Sequence, residues 1–117
     1  RLGMYRRMAD MRRMSELDAL VEEFNDRFGP LPDAVKDLFY QLKVKLLAEY
    51  IGLSSIIAEG GQIVLRFPQL PSGVVSRDLP EIGYQTRPGK NAYWMPAPRD
   101  DETWQARLIE LLNALLN

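Results

Sequence analysis

The stretch "VEEFNDRFGPLPD", residues 21–33, sets the carboxylates Glu22, Glu23 and Asp26 immediately before a glycine and two prolines. A carboxylate does acid–base work when an apolar setting raises its pKa. No carboxylate in this chain stands in such a context. Glu23 and Asp26, three residues apart, instead project from the outer face of a helix and have no apolar role. The chemistry open to them is contact with a partner, or simply that of a solvated face.

Other routes to catalysis are closed by composition. The chain has no His and no Cys, which removes the usual ligands of structural zinc, cysteine nucleophiles and histidine bases. It has neither a GxxxxGK[ST] phosphate loop nor a GxGxxG opening a helix after a strand. Gly60-Gly61 lies between two apolar runs and is explained by a hairpin turn. No catalytic, cofactor or metal site is expected, and the chain is expected to work by touching something.

At 117 residues, with 46% apolar and 26% charged positions, the chain has the size and composition of one soluble globular domain. No apolar run approaches the roughly 20 residues of a membrane helix. The arginine-rich start has no apolar stretch after it, so no signal peptide is expected. The first residue is Arg1, and the chain is expected to be a piece of something longer. Charge is uneven: residues 1–14 carry +4, from Arg1, Arg6, Arg7, Arg12 and Arg13 against Asp10, and the remainder carries −5. A basic head on an acidic body bears on partners rather than on fold.

The elements that position these residues follow from periodicity. Residues 2–14 are good helix formers with Met4, Met8 and Met11 on one stripe and Arg6 and Arg13 opposite. That helix either packs on its own or a neighbouring domain with solvated arginines, or touches a nucleic-acid backbone. A second helix is expected to start at Ser15, with Asp18 as a weak capping partner. Leu17, Leu20, Val21, Phe24 and Phe28 form its apolar face, and Gly29 suits a left-handed C-terminal stop. Pro30 cannot continue the helix, Leu31 is pushed towards extended geometry, and Pro32 fits the first helical position of the next. That third helix is expected to run from Pro32 to about Ile51, with Val35, Leu38, Phe39, Leu42 and Leu46 inward. Gly29, Pro30 and Pro32 thus build a rigid helix–corner–helix unit.

After Gly52 the period changes. "SSIIAE" and "QIVLRF" read as a hairpin turned at Gly60-Gly61, and residues 68–81 as a loop with a short helical turn near Val74–Leu79. "IGYQTR" and "NAYWMP" read as two more strands turned at "PGK". A final helix opens on Asp100, Asp101 and Glu102 and carries Trp104, Leu108, Leu111, Leu112 and Leu115 on a wide stripe. Trp94, Trp104, Tyr84 and Tyr93 are expected in the core rather than as base-stacking platforms. The fold class is α+β: N-terminal helices with a helix–corner–helix unit, a small antiparallel sheet and a C-terminal helix.

"MYRRMADM", "LVEEFNDRFGPLPDAVKDLF" and "LKVKLLAEYIGL", in that order, resemble the C-terminal domain of the bacterial transcription-repair coupling factors. The "YRR" helix, the acidic "E..DRFG.LP" corner and the long helix ending before a glycine match at the family's spacing from Tyr5 to Gly52. Beyond Gly52 the likeness rests on strand order and the Trp-led last helix, and residues 68–81 are shorter than the helix-bearing stretch of the family. The resemblance implies that residues 1–14 are a basic helix linking to a missing upstream translocase. Residues 15–117 would then be a single regulatory domain.

It further implies a parent that is an ATP-dependent DNA translocase, using ATP and Mg outside this fragment. Such a parent displaces stalled RNA polymerase and recruits the excision-repair protein UvrA in the bacterial cytoplasm. By the same resemblance this domain packs on a UvrB-like module of the parent, masks its UvrA-binding surface and holds the factor autoinhibited. The family's acidic contact positions fall on Glu23 and Asp26, with Glu22 beside them. UvrA, RNA polymerase and DNA are then met indirectly, and no membrane is involved. The alternative is a stand-alone nucleic-acid-binding or scaffold module.

Overall fold

The computed structural model describes residues 2–97 and 102–116, with side chains of the first helix described from residue 12 onward. The chain divides into two compact units, Arg1–Tyr50 and Ile51–Asn117. The first carries α1 (Leu2–Phe28) and most of α2 (Asp33–Ile51); the second carries β1 (Ser55–Glu59), β2 (Gln62–Arg66), β3 (Arg87–Pro88), β4 (Ala92–Pro96) and α3 (Thr103–Leu116). The architecture is α+β.

The helix start expected at Ser15 does not occur, because α1 is one helix of 27 residues. No proline or glycine interrupts residues 4–28, and a serine inside a helix costs only a few tenths of a kcal/mol. Nucleating a second helix would cost more than propagating the first. The side chains of Met4, Met8, Met11 and Arg6, on which the stripe in residues 2–14 rests, lie outside the described residues.

In α2 the covered arc differs from the expected one. Val35, Phe39 and Leu46 are half-buried, but Leu38 and Leu42 are exposed, and Leu47 is the buried residue. Periodicity marks the apolar side of a helix but not which part of it is covered.

The second unit is a four-stranded antiparallel sheet, in the order β1-β2-β4-β3, together with α3. Glu59 and Gln62 pair around Gly60-Gly61, both at positive φ (55° and 77°), as a two-residue primed turn demands. β2 and β4 run down the middle and contribute Ile63, Val64, Leu65, Ala92, Tyr93 and Met95 to the core, with Leu108, Leu111 and Leu112 of α3 buried too. Trp94 and Trp104 are half-buried. Tyr84, expected in the core, is 42% exposed.

Two further expectations fail in the loops of this unit. Ile82–Arg87 is not a strand: Gly83, Tyr84 and Gln85 all have positive φ, which no pleated strand allows. Thr86 donates to the Gly83 carbonyl through both its amide and its hydroxyl, closing a turn. Only Arg87–Pro88 then reaches β4. The helical turn near Val74–Leu79 is also absent. The Val74 amide closes a turn on the Pro71 carbonyl, and the segment is pinned by Arg77. Its guanidinium donates to Asn91 Oδ1 at 2.8 Å and the Pro68 carbonyl at 2.9 Å and stands 5.2 Å from the centre of the Phe67 ring. The Tyr93 hydroxyl donates to the Pro80 carbonyl at 2.6 Å. Long-range ties of this kind outweigh the weak helical tendency of so short a run. Asp100 and Asp101, the expected acidic start of the last helix, lie outside the described residues.

Candidate partner-binding surface

The corner is built by one left-handed residue and a buried leucine between two prolines. Gly29 has φ +74° and its amide donates to the Asn25 carbonyl at 2.9 Å, the single bond of a left-handed C-terminal cap. Nothing lies within 4 Å of where a Gly29 Cβ would stand; the demand for glycine is conformational, not spatial. Leu31 is only 8% exposed. The Pro32 carbonyl accepts from the amides of Val35 and Lys36, each at 3.0 Å. Pro32 is therefore the capping residue, and Asp33 rather than Pro32 is the first helical residue of α2.

Two contacts show α1 and α2 lying side by side and antiparallel beyond this corner. The Phe24 and Phe39 rings meet edge-on with centroids 6.1 Å apart, and Lys43 Nζ lies 3.7 Å from Asp18 Oδ1. Phe28, 5.6 Å from Phe24, extends the aromatic row towards the corner. Burial pushes the Tyr40 phenol up to about 12, because the ring's surroundings disfavour the phenolate.

Glu22, Glu23 and Asp26 are all exposed. At about 100° per residue they share the arc of α1 opposite Leu17, Val21, Phe24 and Phe28. They differ in one respect. Glu23 Oε1 lies 3.3 Å from Arg27 Nη2, an i,i+4 pair with both side chains exposed. Glu22 and Asp26 have no ion-pair partner among the described residues. An exposed pair of this kind is worth about 0.3–0.5 kcal/mol, so a better-placed cation can displace Arg27. The ridge offers two free carboxylates and a third lightly held, one turn before the rigid corner. Arg27 was missed in the sequence reading, although the Glu-x-x-x-Arg spacing signals it.

Among the described residues no cluster of His, Cys, Asp and Glu could hold a metal ion, and no helix is long and apolar enough to cross a membrane. What this surface can do chemically is present negative charge on a stiff support.

The TRCF domain family model matches residues 1–74, which include α1, the corner, α2 and the β1–β2 hairpin. The transcription-repair-coupling factor of Haemophilus influenzae is 43% identical over 65 residues, covering 54% of this chain and 6% of that protein. The chain thus spans a small part of the length of this relative. No solved structure matches it.

Proposed function

This chain belongs to the TRCF domain family, and on that premise we propose that it autoinhibits a transcription-repair coupling factor. The parent would be an ATP-dependent DNA translocase of the bacterial cytoplasm that displaces stalled RNA polymerase, with ATP and Mg bound outside these residues. In the resting parent this domain docks on a UvrB-like module and masks the surface that UvrA binds. One observation carries the reading: Glu22, Glu23 and Asp26 stand exposed on one arc of α1, with the weak Glu23–Arg27 pair their single ion pair among the described residues. Carboxylates so placed contribute little to the fold and are available to a basic surface. The corner after them keeps the ridge at a fixed angle, so docking does not have to order it.

The test is Glu23→Lys with Asp26→Lys in the full-length parent, read as UvrA binding without polymerase. Reversal sets like charges against the basic face of the UvrB-like module, which is costly, so UvrA affinity should rise. Partial relief by high salt should accompany it, since the contacts are screened. Equal UvrA affinity in wild type and double variant would leave the carboxylates as a solvated face.

A further inference from the structure

The opposite side of the same hairpin holds a second feature that the acidic ridge does not use. Between α1 and α2 runs a cleft of about 340 Å³ whose apolar walls include Leu17, Val21, Leu31 and Phe39, with Lys36 and Lys43 at its margin. At 1.5 Å per residue the two lysines are about 10 Å apart along α2, the length of two helical turns. The cleft's two ends differ in charge. Lys43 is paired with Asp18 at 3.7 Å, whereas Lys36 has no ion-pair partner among the described residues. Among the charged side chains that line the cleft, Lys36 near the corner is therefore the surplus one, with Asp33 and Asp37 beside it on α2 but outside the lining.

We infer that this cleft docks an amphipathic acidic helix from another protein, with apolar anchors about one turn apart and a carboxylate at the Lys36 end. Two antiparallel helices with an apolar trough between them are a standard seat for a third helix. An apolar segment alone would cover Lys36 without a counter-charge, and covering an unpaired ammonium is costly. The occupant must bring a carboxylate to that end and needs none at the other, where Asp18 already supplies it. A nucleic-acid backbone fits poorly, because a mostly apolar trough with one surplus positive charge lacks the several cations such binding requires. The inference does not depend on the autoinhibitory reading, which uses the other face of α1.

The experiment uses the whole 117-residue chain and two labelled helical peptides of about 15 residues, long enough to hold a helix. Both carry leucines four positions apart; one adds glutamates a turn beyond them, the other lysines. By fluorescence polarisation the glutamate peptide should bind about tenfold more tightly than the lysine peptide. Lys36→Glu should invert that preference while leaving the thermal melt unchanged, since Lys36 is exposed. Glu23→Lys with Asp26→Lys should leave peptide affinity as it was, which separates this result from any failure of the autoinhibitory reading. Amide shifts on adding the glutamate peptide should centre on Val21, Leu31 and Phe39. Equal affinity for the two peptides, no binding by either, or indifference to Lys36→Glu would overturn the proposal. So would self-association of the chain through this cleft in sedimentation, which would make a second copy its occupant.

Discussion

Leu65, Tyr93 and Leu111 in the sheet-and-helix unit are 0% exposed, whereas Leu38 and Phe28 in the helical hairpin are 54% and 71% exposed. The contrast lies in the core, since Ile57, Val74, Val75 and Tyr84 of the second unit are exposed as well. Residues 51–117 bury a set of large side chains from two central strands and one helix. In residues 12–50 only Leu31 and Leu47 are buried, and Leu20, Phe24 and Leu42 join the exposed apolar residues. A region that encloses its own apolar groups derives its stability from packing. One that leaves them open depends on helix length, caps and local pairs, and contiguous exposed apolar surface of this kind marks an interaction site. The difference teaches that the packed core lies in the second unit, even though Val75 there is 78% exposed, while the first leaves most of its apolar face open to partners.

The contrast breaks most readily under paired truncations. Leu111→Ala should cost about 2–5 kcal/mol, the range for deleting a buried leucine. Leu38→Ala, at an exposed position, should stay within about 0.5 kcal/mol. Urea denaturation of both variants checks this, and equal costs would erase the distinction between the units.

Next in size is the corner. Gly29→Val should destabilise by about 1–2 kcal/mol, because a β-branched residue is forced to a left-handed φ. No clash contributes, since the space beside Gly29 is open. An unchanged denaturation midpoint would mean that the corner relaxes without loss.

A smaller effect is confined to alkaline pH. The Tyr40 phenol is raised to about 12 in the folded chain, against about 10 in an unfolded one. Between those values the folded state holds the proton that the unfolded state has lost, so stability falls as pH rises through that window. Below it both states are protonated and this group contributes no slope. Tyr40→Phe should therefore flatten part of the stability decline between pH 10 and 12 and change nothing in that slope near neutrality. Identical alkaline slopes in the variant and wild type would contradict the burial of the phenol.

The smallest expected change is in the acidic ridge. Glu23→Lys with Asp26→Lys should alter stability by no more than about 0.5 kcal/mol, even though it removes the Arg27 pair, because that pair is exposed. A thermal melt settles it. A large loss would move these residues from a partner surface into the hairpin's own architecture.

The stop at Gly29 and Pro30 was legible in advance because glycine and proline restrict the backbone locally, whatever surrounds them, although Pro32 caps the next helix instead of opening it. Gly29 takes the left-handed cap, and Gly60-Gly61 takes the hairpin turn that fixes the β1–β2 register. The acidic ridge was legible for the same kind of reason: helical spacing alone sets Glu22, Glu23 and Asp26 on the arc opposite the phenylalanines. Arg27's hold on Glu23 was present in the spacing but passed over. The cleft beside Lys36 was not legible, since it exists only where two helices meet.

The sequence by itself determined the α+β class, the stop at Gly29, the two-residue hairpin and the absence of any phosphate loop or His/Cys ligand set. Those follow from side-chain chemistry and from backbone freedom within a few residues. Only the tertiary structure decided that Leu38 and Leu42 are open while Leu47 is covered, and that residues 74–79 are held as a loop by Arg77. Each of these depends on contacts between residues distant in the chain, such as Arg77 on Asn91. Weak local preferences of a few tenths of a kcal/mol yield to such contacts.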